Sequence, residues 1–320
     1  MENDRRYLIV TADDFGAAQW IDQGILKAIE TGQVSTVSAL TNFPRARHAI
    51  LDLNRRYPRI GIGIHLNITS GPPLAAPAGS SLPLNADGEF PGLEELLVRL
   101  PELDSGAVEA ELRRQIEIVR DLGIVPDHLS SHHNVLAIVP DLQMLMIRLA
   151  QEYALPVRTP IAVSQTHSWR YGYAKTRQRA TRSILRMFGQ RPWRTLITLP
   201  AAYLRLRRSK RILRENGVRS PDHLIDSLYG IPTVRNVRHI LFHLPSGTSE
   251  LVVHLSDDRG DYAIPDGIER ASAEFRPIER NLITNGTVRR VMEREGIVLA
   301  RYADIPRTRE SSDREDPVAP

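Results

Sequence analysis

Short apolar runs alternate with amphipathic stretches along most of the 320-residue chain, and several runs stop at polar residues. "YLIVTADD" starts as a continuous apolar segment, the pattern of a strand buried on both faces. "IDQGILKAIETGQ" then sets Ile21, Ile25 and Ile29 on one helical face, and Gly32 stops it. "VSTVSAL" reads as a second strand, "FPRARHAILDLNRRYP" as a helix ended by Pro58, and "IGIGIHLNIT" as a third strand. A loop rich in Pro, Gly and Ala leads to the helical patterns "GLEELLVRL" and "SGAVEAELRRQIEIVRDLG". "PDHLSSHH" is a strand, "VPDLQMLMIRLAQEY" a helix and "LPVRTPIAV" a strand. Farther on come the apolar runs "VRHILFHL" and "SELVVHL", a helix in "TVRRVMEREG" and a strand in "IVLARY".

Repeated strand–helix units predict parallel strands with helices outside. The expected class is α/β, a (β/α) barrel-like fold, distorted or seven-stranded, carrying a basic helical insertion. Residues 1–164 and 220–306 would form the barrel, 165–219 the insertion and 307–320 a disordered tail. There is no Gly-rich phosphate turn and no internal repeat, and three strand ends carry polar residues: "ADDFG", "HLNIT" and "SSHH". In barrels of this kind the site lies at the carboxyl ends of the strands.

Composition changes the picture in two respects. The chain has no cysteine, so disulfides and thiolate metal sites are excluded and a metal must use His, Asp or Glu. The formal charge of +4 conceals an asymmetry: 15 of the 42 Lys and Arg, but one of the 38 Asp and Glu, fall within residues 165–219. That segment also carries Trp169, Trp193, Tyr171, Tyr173 and Tyr203, and "AAYLRLRRSKRILREN" sets apolar residues opposite its cations as a helix. It reads as a solvated insertion packed on the barrel, or as an interfacial helix on anionic lipid. No nucleic-acid motif accompanies it, and no nucleic-acid partner is expected. No run of 18 apolar residues is present, and the N-terminal run is too short for a signal segment. The expected location is cytoplasmic, at most peripheral at a membrane.

The chemistry begins at "TADDFG". Neighbours on a strand point to opposite faces, so Asp13 and Asp14 can serve one site only where the strand is ending. Taken alone, one would cap the next helix and the other would face solvent. His65 ends "GIGIH", a strand on which glycine alternates; alone it reads as a structural histidine. In "HLSSHHN" a period of two puts His128, Ser130 and His132 on one face, with His132 nearest the carboxyl end. One Asp and two His at three strand ends suit a divalent ion with open positions, leaving the other Asp beside it as a base. His254 ends the strand begun near Glu250 and suits a general acid. A glycosidase pair is disfavoured, because adjacent carboxylates cannot flank a bond.

These stretches, with "GIGIHLNITSGPPL", "PVRTP", "SPDHL", "LPSGTSELVVHL" and "RNLITNGTVRRVMEREGIVLARY", resemble the YdjC-like carbohydrate deacetylase family, which includes chitooligosaccharide and hopanoid-type deacetylases. The resemblance runs from about residue 6 to residue 305 apart from the basic segment. It implies a barrel-like fold and metal-dependent removal of acetyl groups from N-acetylated sugars or glycolipids, with Mg2+ or Zn2+ as cofactor. It implies Asp14, His65 and His132 as metal ligands, Asp13 and His254 as catalytic groups and Arg158 as a substrate contact. A homodimer is a separate option that the sequence leaves open. Where the family reads "HIDSHQHVH" this chain has "HLSSHHNVL", so Ser130 replaces an acid that could orient a ligand. After His254, "LSDD" replaces "PG". The alternatives are another metal-assisted amide or ester hydrolase, or a non-catalytic carbohydrate- or lipid-binding barrel.

Overall fold

The computed structural model of the protein describes residues 5–75, 82–160, 192–225, 228, 232–258 and 270–305. The first half of the expected basic insertion and the expected tail lie outside the described residues. Strand β1 (Arg6–Phe15) is buried along nearly its whole length. Helix α1 (Gln19–Glu30) follows, with Trp20, Ile21, Ile25 and Ile29 packed inward. Then come β2 (Thr36–Ala39), α2 (Ala46–Arg56) and β3 (Gly61–Leu66). After α3 (Leu93–Arg99), α4 (Ser105–Arg120) starts at Asp104, whose side chain accepts from the Ala107 N–H at 2.9 Å. Strand β4 (Leu129–Ser131) is followed by α5 (Val135–Ile138) and α6 (Pro140–Glu152). The chain continues with α7 (Pro192–Glu215), β5 (His223–Ile225), α8 (Val234–Phe242) and β6 (Gly247–Val253). Helices α9 (Arg270–Thr284) and α10 (Thr287–Glu295) lead to β7 (Ile297–Leu299).

Every strand pairing is parallel, in the order β4-β3-β2-β1-β6-β5, with β7 on the first residues of β1. The sheet curls, and residues 157–158 and 219–222 span its open side. Val157 bridges Leu129, its N–H donates to Arg219 O at 2.9 Å, and the Asp222 N–H donates to Thr248 O at 2.8 Å. The fold is therefore a curled, barrel-like α/β sheet surrounded by helices.

"LPVRTPIAV" was expected as a strand, but its described part forms a single bridge at Val157. Pro156 and Pro160 remove ladder donors on either side of it. Helix α9 has no counterpart in the sequence pattern because Pro277 lies inside it. The inner core is separate from the main core between sheet and helices: Ile9, Ala300, Tyr302 and Ile305 form a small floor within the curl. Gly63 belongs to the same interior. A Cβ there would overlap the His128 ring, and one on Gly61 would overlap the Asp127 carboxylate and the Thr36 hydroxyl, which is why glycine alternates along β3.

Helix α7 packs through Ser209 and Leu213, and the Gln143 side chain donates to Ser209 Oγ at 3.3 Å. Tyr203 and Leu204 remain exposed. Among the described residues, no helix is long and apolar enough to cross a membrane.

Candidate metal centre and its carboxylate pair

The register between β1 and β2 shifts between Asp13 and Phe15, and Asp14 takes a left-handed backbone, φ 68°. This bulge breaks the strand's alternation, so two consecutive carboxylates reach the same region. A non-glycine residue held there costs on the order of 1 kcal/mol or more, a strain typical of functional positions. Gly16 follows at φ 91°; a Cβ on it would sit 2.9 Å from Ala46 Cβ. His65 Nε2 lies 3.7 Å from Asp13 Oδ2 and 3.7 Å from Asp14 Oδ1.

Asp14, His65 and His132 each offer one ligand atom, all within 4.8 Å of one another, and all three residues are buried. His132 sits in the turn after β4, its Nδ1 3.4 Å from Asp14 Oδ1. His133 and Asn134 beyond it are both left-handed, φ 53° and 54°. His133 is thereby turned toward Thr69, its Nδ1 3.0 Å from the Thr69 hydroxyl. Two buried polar atoms of the cluster, Asp14 Oδ1 and His132 Nε2, have no hydrogen-bond partner. Buried polar atoms are ordinarily satisfied, so the orphaned Asp14 Oδ1, which faces both His65 and His132, fits a cation.

His65 Nδ1 lies 2.7 Å from Ser130 Oγ, which in turn meets Ser38 Oγ. With Nδ1–H donating to Ser130, the Nε2 lone pair faces the cluster. Ser130 thus orients His65 rather than His132, and a neutral hydroxyl pair does what the missing acid would do. Burial drives the His65 pKa down to about 3, against the pull of the Asp13 charge, so the ring is neutral.

Asp13 has a different environment. Arg158 donates to both its oxygens, Nη1 to Oδ2 and Nη2 to Oδ1, each at 2.7 Å. The other edge of the guanidinium meets Glu250 Oε1, at 3.0 Å from Nε and 2.9 Å from Nη2. Glu250 Oε1 also accepts from the Thr11 hydroxyl at 2.7 Å, and Oε2 accepts from the Tyr302 hydroxyl. The Tyr302 ring stacks on His128, centroids 4.0 Å apart. Burial alone would raise the Asp13 pKa, but the Arg158 charge and hydrogen bonds outweigh it and hold it at about 2. Arg158, expected to meet substrate, has both edges on carboxylates.

Arg276, from α9, pairs with Asp14 Oδ2. Burial opposes ionisation of Asp14, yet the Arg276 and His132 interactions hold its pKa well below the ordinary value. His254 follows β6, and its backbone N–H donates to Glu279 Oε2 at 2.8 Å. Burial and then the Arg276 charge lower its pKa, so its imidazole is neutral at rest. Arg276 and Glu279 are absent from the sequence reading, because Pro277 between them hides the helix that carries both.

The family model described as YdjC-like protein matches residues 7–294, and the chain belongs to that family. A carbohydrate deacetylase of Geobacillus stearothermophilus is 38% identical over 162 residues, 51% of this chain and 62% of the relative. One from Halalkalibacterium halodurans is 39% identical over 153 residues, 48% and 63% of the two chains. A chitooligosaccharide deacetylase of Serratia marcescens is 35% identical over 154 residues, 48% and 59%. The chain thus spans about three-fifths of the length of these relatives. A crystal structure of a proposed cellobiose-phosphate cleavage protein from Enterococcus faecalis superposes with a TM-score of 0.68 at 23% identity, covering 93% of this chain and 98% of that one, and supports the fold.

Proposed function

We propose that the protein is a divalent-metal-dependent hydrolase that removes an acetyl group from an N-acetylated sugar or glycolipid. The observation that carries this reading is the buried Asp14, His65 and His132 set beside a second carboxylate held ionised by Arg158. The curated relatives, deacetylases of carbohydrates, support the substrate class.

Asp14, His65 and His132 would hold Zn2+ or Mg2+, the two imidazoles favouring zinc. Such an ion supplies polarisation of the acetamide carbonyl and acidification of the attacking water. Asp13 takes the proton of that water. Arg158 acts as a positioning residue: it fixes both Asp13 oxygens and is itself fixed by Glu250. His254, neutral at rest, takes up the proton that Asp13 removed from the water and passes it to the departing amine, and the products are acetate and a free amino sugar.

The experiment is acetate release from a panel of N-acetylglucosamine oligosaccharides and N-acetylated glycolipids, with chelated and metal-restored enzyme. Release that stops on chelation and returns with the ion is expected. No acetate from any member with the ion restored would sink the proposal.

Residues 165–219 are read as an insertion in the barrel. Tyr203 and Leu204, exposed on a cationic helix, support a peripheral contact with anionic membrane. Absence of co-sedimentation with anionic vesicles would remove that contact.

A further inference from the structure

The candidate metal centre already contains a cation. Arg276 is 2% exposed, and its guanidinium is paired with Asp14 Oδ2, while Asp14 Oδ1 faces His65 and His132. Three physical consequences follow from this placement. Asp14 has one oxygen left for a metal ion, so it would bind through that oxygen alone. A fixed positive charge stands one carboxylate away from the ion's position, in surroundings that screen poorly. The Asp14 charge is also neutralised before any ion arrives, so the ion gains less from the ligand than it would from an unpaired carboxylate.

The neighbouring acids have partners of their own. Asp13 is committed to Arg158, and Glu250 to Arg158, Thr11 and Tyr302. Glu279, one turn beyond Arg276, accepts from the His254 backbone. The protein has therefore built an ion pair into the one carboxylate that would ligate the metal.

We infer that Arg276 sets the metal affinity of this centre, keeping Asp14 ordered and one-handed while weakening the hold on a divalent ion so that the ion exchanges. This rests on Asp14, His65 and His132 being the ligands. Arg276 acts through Asp14 and is a positioning residue that tunes affinity.

The test compares binding of Zn2+ and of Mn2+ by calorimetry to metal-free wild type, Arg276→Gln and Arg276→Lys. Glutamine keeps a donor for Oδ2 and removes the charge; lysine keeps the charge. Arg276→Gln should bind at least about tenfold tighter than wild type, and Arg276→Lys within a few-fold of it. The rise in thermal midpoint on adding each ion serves as a second readout, needing only a folded metal-bound state; it should be larger for Arg276→Gln. Equal or weaker binding by Arg276→Gln overturns the inference and leaves the ligand assignment standing. If none of the three proteins binds either ion, the ligand assignment and the inference fall together.

Discussion

Asp13 and Asp14 are adjacent in the chain and equally buried, yet their surroundings differ in kind. Around Asp13 each oxygen accepts a strong hydrogen bond, and the donor is backed by Glu250, Thr11 and Tyr302. Around Asp14 one oxygen is paired with Arg276, and the other faces two imidazoles without a hydrogen bond. The Asp13 half is closed and satisfied. The Asp14 half is incomplete in a way that a cation would complete. The bulge at Asp14 makes the division possible, since on a regular strand the two would face opposite sides of the sheet. Identical side chains thus acquire different surroundings from their neighbours.

The sharpest way to break this comparison is to remove one half at a time. His132→Ala should abolish ion binding and lower turnover by about a thousandfold or more, while Asp13→Asn should bind the ion within a few-fold of wild type and lose about a hundred- to ten-thousandfold in kcat. Calorimetry and acetate release separate the two; an Asp13→Asn protein that loses the ion would merge the halves.

Acid titration of the chelated protein should distinguish the halves next. The His65 pKa is depressed from 6.5 to about 3, so the unfolded chain binds a proton that the folded chain refuses. Its stability contribution is full above pH 6.5 and falls by about 1.4 kcal/mol per pH unit below it. The Asp13 pKa is depressed from 3.8 to about 2, so its contribution is full above about pH 4 and is lost on approaching pH 2. Urea unfolding of wild type should weaken steadily from pH 6.5 to 4, and His65→Asn should lose much of that slope. The smallest effect is expected at the remote end of the Asp13 half. Tyr302→Phe keeps the stack on His128 but removes one donor to Glu250, and should cost about tenfold in kcat with KM and ion affinity unchanged.

The alternation of apolar runs and amphipathic helices carries β1 through α2, β3, α4 and α6, and the polar strand ends point to the mouth of the barrel. Other features depend on contacts that no local pattern records. The bulge at Asp14 is set by pairing with β2, not by a glycine at that position. The column from Asp13 to Tyr302 joins residues from β1, β6, the segment at Arg158 and the turn after β7. Arg276 and Glu279 lie on a helix that Pro277 disguises. Ser130 reads as the loss of an acid beside His132, but its register opposite His65 makes it the partner of the other imidazole. The glycines of "GIGIH" are explained only once His128 is seen across from Gly63, and Asp127 and Thr36 against Gly61.

The central claim is that one divalent ion sits among Asp14, His65 and His132 while Asp13 stays on Arg158. Anomalous diffraction from crystals grown with Zn2+ tests it directly. A single strong peak about 2.0–2.2 Å from one atom of each of the three residues is predicted, with the Arg158–Asp13 pair intact. A peak bound by Asp13 in place of Asp14, or none at this cluster under saturating zinc, would contradict the account.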